Sequence, residues 1–297
     1  MVFGFGEIVY DIIFKKNKIV IGQPGGSVLN ALVNISSRKC KTSLISQLSG
    51  DELGKNIKVL LDKAGINTDL LIKSKYKTKV ALSFLDEKNN ATYLFHEEKE
   101  DAKPGFSFPE LSDSDIFLFG STAAIDPKNR AYLDSILNKA DAFSTLVYYD
   151  PNIRKSAMEK YSDYKDLAIR YISRADIVRG TVDDFEAIFN TRSPETIFKH
   201  IDKLGVPVLI ITDGENPVYL FVNKSKIVVK FKPVKALCSI AAGDAFNAGI
   251  ISSLILSGNK KYSVKNITEK NWNKYLKDSI TIATEVCKTY DNYPKLG

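Results

Sequence analysis

The sequence predicts a three-layer α/β/α fold with a mostly parallel central sheet and a small projecting β lid, in a single domain spanning residues 1–297. Three observations predict it. After Pro104, short apolar runs alternate with helical segments, as strands buried on both faces do when helices cover each side of a parallel sheet. Ala245 to Leu256 is nearly uncharged and reads as a helix buried in the core. The strand-like stretches at 11–21 and 79–95 do not fit the parallel layer and are expected to form a small sheet of their own.

Taken in chain order, Met1 to Tyr10 reads as a first strand ending near Asp11. Val28 to Ser37 has helical spacing, and Asp51 to Ala64 is an amphipathic helix with an acidic first turn. Lys79 to Leu85 and Ala91 to Phe95 read as strands joined by the hairpin signal Asp86-Glu87-Lys88-Asn89-Asn90. Asp115 to Phe119, Thr145 to Tyr149, Asp176 to Val178 and Val206 to Ile211 are the short apolar runs, each followed by a turn and a helical segment. Val218 to Val222 and Ile227 to Phe231 form a second hairpin. In such sheets ligands bind at the C-terminal ends of the parallel strands, where a projecting sheet serves as a lid. The lid's exposed apolar face suits pairing with a second copy, so a homodimer through the lid is expected.

Composition narrows the function. With 44% hydrophobic and 26% charged residues, disorder and fibrous repeats are excluded. The net charge of +7 comes from 42 Lys+Arg against 35 Asp+Glu, but the lysines are scattered and form no stripe, so no nucleic-acid partner is expected. Cys40, Cys238 and Cys287 lie far apart, with only His96 and His200 to join them. A zinc site is therefore not expected, and the odd thiol count suits a reducing, cytoplasmic setting. The opening stretch carries Glu7 and Asp11 and no basic leader. Ala236 to Gly258 is the least charged stretch, yet holds Asp244, which at membrane depth would be costly; no membrane association is expected.

The most informative segment is Ser239-Ile240-Ala241-Ala242-Gly243-Asp244-Ala245-Phe246-Asn247-Ala248-Gly249. Ala241, Ala242 and Gly243 allow close approach to backbone N–H groups at a helix N-terminus, where anions are favoured. Asp244 stands beside that anion site. A carboxylate next to an anion hole is what phosphoryl transfer to a hydroxyl needs, since one takes the proton while the other holds the transferring group. The same aspartate reads equally well as a helix cap after a tight turn. Upstream, Gly25 and Gly26 permit positive φ, and Asn30 offers a donor and an acceptor from the first turns of a helix.

Gly25-Gly26 with Asn30, Gly50-Asp51-Glu52-Leu53-Gly54, Asp150-Pro151-Asn152-Ile153-Arg154, Thr212-Asp213-Gly214 and Ala241-Ala242-Gly243-Asp244 occur in an order and spacing that resemble the ribokinase-like (PfkB) carbohydrate kinases. The resemblance covers the whole chain and looks closest to the fructokinase branch. It implies ATP-dependent phosphorylation of a small sugar, with ATP and Mg2+ as partners of the reaction. It implies Asp11, Gly25, Gly26 and Asn30 as sugar ligands, with Arg154 meeting a hydroxyl, carboxylate or phosphate. Asp244 is then the base, and the amides of Ala241, Ala242 and Gly243 are the anion hole. Thr212 and Gly214 resemble the T-x-G turn at the nucleotide phosphates. Glu186 resembles the last residue of N-x-x-E, which orders magnesium through water.

Departures from the pattern define the alternatives. Cys238 stands where the family has an aspartate beside its monovalent-cation site, which argues against potassium activation. Ala241 replaces a glycine, which requires negative φ there. Asp183 replaces the asparagine of N-x-x-E. A catalytically weak sugar- or nucleotide-binding relative is one alternative, and a nucleoside kinase of the same family is the other.

Overall fold

The computed structural model describes residues 1–87, 89, 91–98 and 104–293. The chain forms two units. One comprises Met1–Pro109, Val234–Ser252 and Ser279–Gly297; the other comprises Glu110–Pro233 and Ser253–Asp278.

In the first unit the elements are β1 (Val2–Phe5), β2 (Val9–Lys15), β3 (Lys18–Gly25), α1 (Ser27–Ser37), β4 (Thr42–Ser49), α2 (Glu52–Lys63), β5 (Leu71–Ser74), β6 (Lys79–Leu85) and β7 (Ala91–His96). β4 pairs in parallel with β1 and with β5. The expected first strand over 1–10 is in fact two strands in different sheets. A continuous apolar run does not reveal where a chain leaves one sheet for another, and here it does so between Phe5 and Val9. The second sheet has the order β3-β2-β6-β7, with β2 antiparallel to β3, parallel to β6, and β6 antiparallel to β7. Lys16 and Asn17 both take positive φ (49° and 61°), the pairing that closes a two-residue hairpin between β2 and β3. Ile19, Phe84 and Leu94 remain exposed on this sheet. The loop expected at 86–90 includes positions 88 and 90, which lie outside the described residues.

The second unit contains β8 (Ile116–Gly120), α3 (Ser121–Ile125), α4 (Arg130–Ala142), β9 (Leu146–Asp150), α5 (Lys155–Lys160), α6 (Tyr164–Ile172), β10 (Ile177–Thr181), α7 (Val182–Phe189), α8 (Pro194–Lys203), β11 (Val208–Thr212), β12 (Val218–Val222) and β13 (Ser225–Val229). β8, β9, β10 and β11 are parallel neighbours, and β12 and β13 continue the sheet antiparallel. The parallel strands are buried along almost their whole length, as strands covered on both faces must be. Tyr148 and Tyr149 are fully buried packing residues.

The chain closes with α9 (Ala242–Leu256) and α10 (Glu269–Cys287). α9 begins three residues earlier than its apolar run suggests, so Ala242, Gly243 and Asp244 form its first turn.

Candidate active site

In the first unit, β3 ends in Gly25-Gly26 and the chain turns directly into α1. Gly26 takes φ 118°, and a Cβ there would strike the Glu7 carbonyl; a Cβ on Gly25 would strike the Asp11 carboxylate. The glycine pair therefore lets the β2 side chain Asp11, 5% exposed, lie against bare backbone.

The turn also aims α1 at the start of α9. Ser27 Oγ donates to Asp244 Oδ1 at 2.7 Å, and Asn30 Nδ2 donates to Asp244 Oδ2 at 2.9 Å. Asp244 is buried, and its two oxygens are oriented by donors from one helix turn.

The turn before α9 departs from expectation. Ala241 takes φ 60°, in the left-handed region, where negative φ was required of a non-glycine residue. Two contacts hold it there: the Ala245 amide donates to the Ala241 carbonyl at 2.9 Å, and its methyl belongs to a buried cluster with Ile13, Cys238, Ile240 and Ala245. Ala242 and Gly243 are half-buried on the opening turn, where the first N–H groups of a helix have no intrahelical acceptor; the Ala242 amide donates to the Ser239 carbonyl just before the helix at 3.4 Å. That cradle suits a phosphoryl group. Cys238 lies in the same apolar cluster, and burial pushes its thiol up to about 11. It is a buried, neutral neighbour of the turn.

A second polar group was not signalled by the sequence. Asn292, which follows α10, donates from Nδ2 to Asp11 Oδ2 at 2.9 Å. Gln23 Nε2 donates to the Tyr290 carbonyl at 2.8 Å, and Asn34 Nδ2 donates to the carbonyls of Asn30 and Asn292 at 2.8 and 3.3 Å. Asn34 thereby connects the neighbourhoods of Asp244 and Asp11.

In the second unit, the remaining expected residues gather at the C-terminal ends of β9, β10 and β11. Buried Arg179 donates to Asp150 Oδ2 at 3.1 Å and to Thr212 Oγ1 at 2.7 Å. Burial opposes the guanidinium charge most strongly, but Asp150, Tyr148 and Asp184 together outweigh it and the net shift is upward. Thr212 is therefore oriented by a buried ion pair that the sequence did not announce. Gly214 follows with φ 54°. Asp184 makes a capping box with Thr181 and accepts the Ile153 amide at 2.7 Å, fixing the segment before Arg154 to the start of α7. Arg154 is half-buried at the N-cap of α5. Glu186 is exposed and paired with Arg192 at 2.6 Å, together with Asp183. Thr181 to Asp184 has the same three-residue spacing as N-x-x-E, and here Asp184 is buried and locked by its capping box with half-buried Thr181, whereas Asp183 and Glu186 are exposed. Among the described residues no group of three or more His, Cys, Asp or Glu is placed to hold a metal ion by itself.

The sequence matches the pfkB family carbohydrate kinases over residues 2–286. The chain belongs to this family. It is a phosphotransferase with an alcohol group as acceptor. Among its relatives, a fructokinase from Vibrio alginolyticus is 21% identical over 257 residues, covering 84% of this chain and 82% of the relative. An ATP-dependent 6-phosphofructokinase from Thermoanaerobacterium thermosaccharolyticum is 25% identical over 252 residues, 82% of this chain and 75% of the relative. A solved fructokinase from Vibrio cholerae O395, in a form with fructose, ADP and calcium ion bound, superposes with a TM-score of 0.85 at 18% identity, covering 98% of this chain and 94% of that one. An aminoimidazole riboside kinase from Salmonella enterica superposes at 0.81 with 17% identity, covering 100% and 96%. These likenesses establish the ribokinase-like α/β fold of this kinase. Among the described residues no helix is long and apolar enough to cross a membrane.

Proposed function

We propose that this kinase transfers the terminal phosphoryl group of ATP to a hydroxyl of a small sugar, with a fructose-like ketose as the acceptor. The observation that carries the reading is the buried Asp244 carboxylate held by Ser27 and Asn30 on the first turn of α9. ATP, delivered with Mg2+, is a substrate here, and the small-residue turn at Ala241 to Gly243 fits its phosphate.

Asp11 and Asn30 hold sugar hydroxyls, and the bare backbone of Gly25 and Gly26 admits the ring edge. The sugar hydroxyl to be phosphorylated donates to Asp244, which takes the proton as the oxygen attacks. The amides of Ala241, Ala242 and Gly243 hold the transferring group's oxygens. Thr212 and Gly214 would serve the nucleotide phosphates, and Glu186 would be the carboxylate that meets the cation's waters. The β3-β2-β6-β7 sheet acts as the lid that keeps water from the reacting phosphoryl group.

A coupled assay with a panel of sugars and nucleosides tests this directly. Turnover of a ketose supports it, turnover of nucleosides alone makes the protein a nucleoside kinase, and none makes it a binding relative. Asp244→Asn keeps the size of the side chain but cannot accept the proton. Its kcat, with both substrates saturating, is expected to fall about 10²–10⁴-fold. A kcat reduced less than about tenfold would leave Asp244 only a cap.

A further inference from the structure

Asn30 donates its amide to Asp244, and Asn292 donates its amide to Asp11. In both residues the side-chain oxygen Oδ1 is buried and has no hydrogen-bond partner. Asn292 is 1% exposed and Asn30 3% exposed. A buried acceptor left unmatched beside a buried carboxylate is costly unless a donor arrives with a ligand.

The orientation of the Asn292 amide follows from its partner. An ionised carboxylate only accepts, so the NH2 end must face Asp11 and Oδ1 must face the other way. The residue is anchored on both sides. The Asn292 backbone N–H donates to Gln23 Oε1 at 3.4 Å, its backbone carbonyl accepts from Asn34, and Tyr293 Oη donates to the Pro24 carbonyl at 3.4 Å. Those partners lie on β3 immediately before Gly25 and on α1 one turn beyond Asn30. The anchoring fixes the side chain and leaves Oδ1 as its one unused polar atom.

We infer that Asn292 is a sugar-reading residue: its Oδ1 accepts a hydrogen bond from a substrate hydroxyl adjacent to the one that donates to Asp11, so that the Asp11–Asn292 pair reads two neighbouring hydroxyls of a carbohydrate. Asp11 supplies acceptors only, and Asn292 supplies a second acceptor in fixed register with it. A ligand with two adjacent hydroxyl donors engages both residues, while one lacking the hydroxyl that faces Asn292 leaves its buried Oδ1 unpaired. Sites built in this way reject the deoxygenated analogue strongly. This inference rests on the sugar-kinase reading above.

The test compares wild type, Asn292→Ala and Asn292→Ser with fructose, or with whichever panel sugar wild type turns over, and with analogues each lacking one hydroxyl. Thermal melting is measured alongside, and Asn292→Ser, the milder change, is read if Asn292→Ala does not fold. In wild type, one analogue besides that lacking the phosphorylated hydroxyl is expected to lose about tenfold or more in kcat/KM. In Asn292→Ala that single penalty should collapse while the penalties of the other analogues persist and the KM for ATP stays put. A uniform rise of KM across the parent sugar and all analogues would reduce Asn292 to an anchor for the chain end and overturn the inference, with the sugar-kinase reading intact. Failure of wild type to phosphorylate any sugar would remove both.

Discussion

At the residue scale, Ala241 shows opposing effects of similar size. A left-handed φ on an L-residue with a Cβ costs roughly 1–2 kcal/mol. The methyl recovers about 0.8 kcal/mol by burial, and alanine spares the unfolded chain the extra freedom of glycine, about 0.4–1 kcal/mol. Ala241→Gly is therefore expected to leave the melting temperature nearly unchanged, because three terms nearly cancel. Ala241→Val is a different case, since a β-branched side chain at φ 60° is a true outlier. It should lower the melting temperature markedly and raise the KM for ATP by disturbing the turn. A stable, fully active Ala241→Val would mean the turn does not hold this φ in solution. Cys238 gives a second residue-scale prediction. Its thiol is buried among Ile13, Leu85 and Val286 and stays protonated at neutral pH. Hard monovalent cations want oxygens, and a thiol is a poor substitute. Replacing sodium by potassium in the assay should change kcat and KM little. A large activation specific to potassium would place a cation on backbone carbonyls alone.

At the scale of elements, one carboxylate joins a helix to the second sheet. Asp51 caps α2 by accepting the Gly54 amide at 2.8 Å, and it also accepts the Thr78 amide at 2.7 Å and the Thr78 hydroxyl at 2.6 Å, just before β6 begins. Burial alone would raise its pKa, but the bonds from Thr78 and Gly54 prevail and hold it below the usual carboxylate range. The folded pKa is thus depressed. Its contribution to stability is present above the unfolded value of about 3.8 and is lost as pH falls through the lower folded value. Asp51→Ala should cost about 1–2 kcal/mol through the lost cap. It should also raise the sugar KM by freeing the start of β6, and it should flatten the acid limb of stability. An unchanged sugar KM with a lowered melting temperature would limit Asp51 to capping. The elements themselves were largely legible, because strand runs such as 146–150 and 208–212 carry an apolar pattern that needs no long-range information. The break between β1 and β2 was not, because both strands are apolar and only their partners differ. At the site, Gly25, Gly26, Asn30 and Asp244 were legible because turn chemistry and a helix start mark them locally. Arg179 was not: a single cation inside an apolar strand gains meaning only from Asp150 and Thr212 on the flanking strands.

At the scale of the whole molecule, the first unit is assembled from three separate stretches of chain, and its last stretch supplies partners to its first. Asn292 and Asp11 are 281 positions apart, and Gln23 and Tyr290 are 267 apart, which is why no local pattern announces either pair. Bringing such distant segments together carries a loop-closure cost that grows only slowly with length, so a few buried hydrogen bonds suffice to hold the chain end in place. A chain truncated after Lys288 loses the donors and acceptors that Asp11, Gln23, Asn34 and Pro24 use. At roughly 1 kcal/mol for each bond, with a further penalty where a buried group is left unpaired, the loss is several kcal/mol, a large part of a typical folding free energy. The loss should fall on the first unit, because the second takes no residues beyond Asp278. Denaturant unfolding followed by hydrogen exchange should therefore show protection lost first across β2, β3 and α1, while β8 to β11 retain theirs. Addition of the sugar substrate should restore protection in the untruncated chain bearing Asn292→Ser but not in the truncated one, since only the former keeps the Tyr290 and Tyr293 partners of Gln23 and Pro24. Uniform loss of protection in both units would show that the two unfold as one cooperative body, and would move the role of the chain end from the sugar site to the stability of the whole fold.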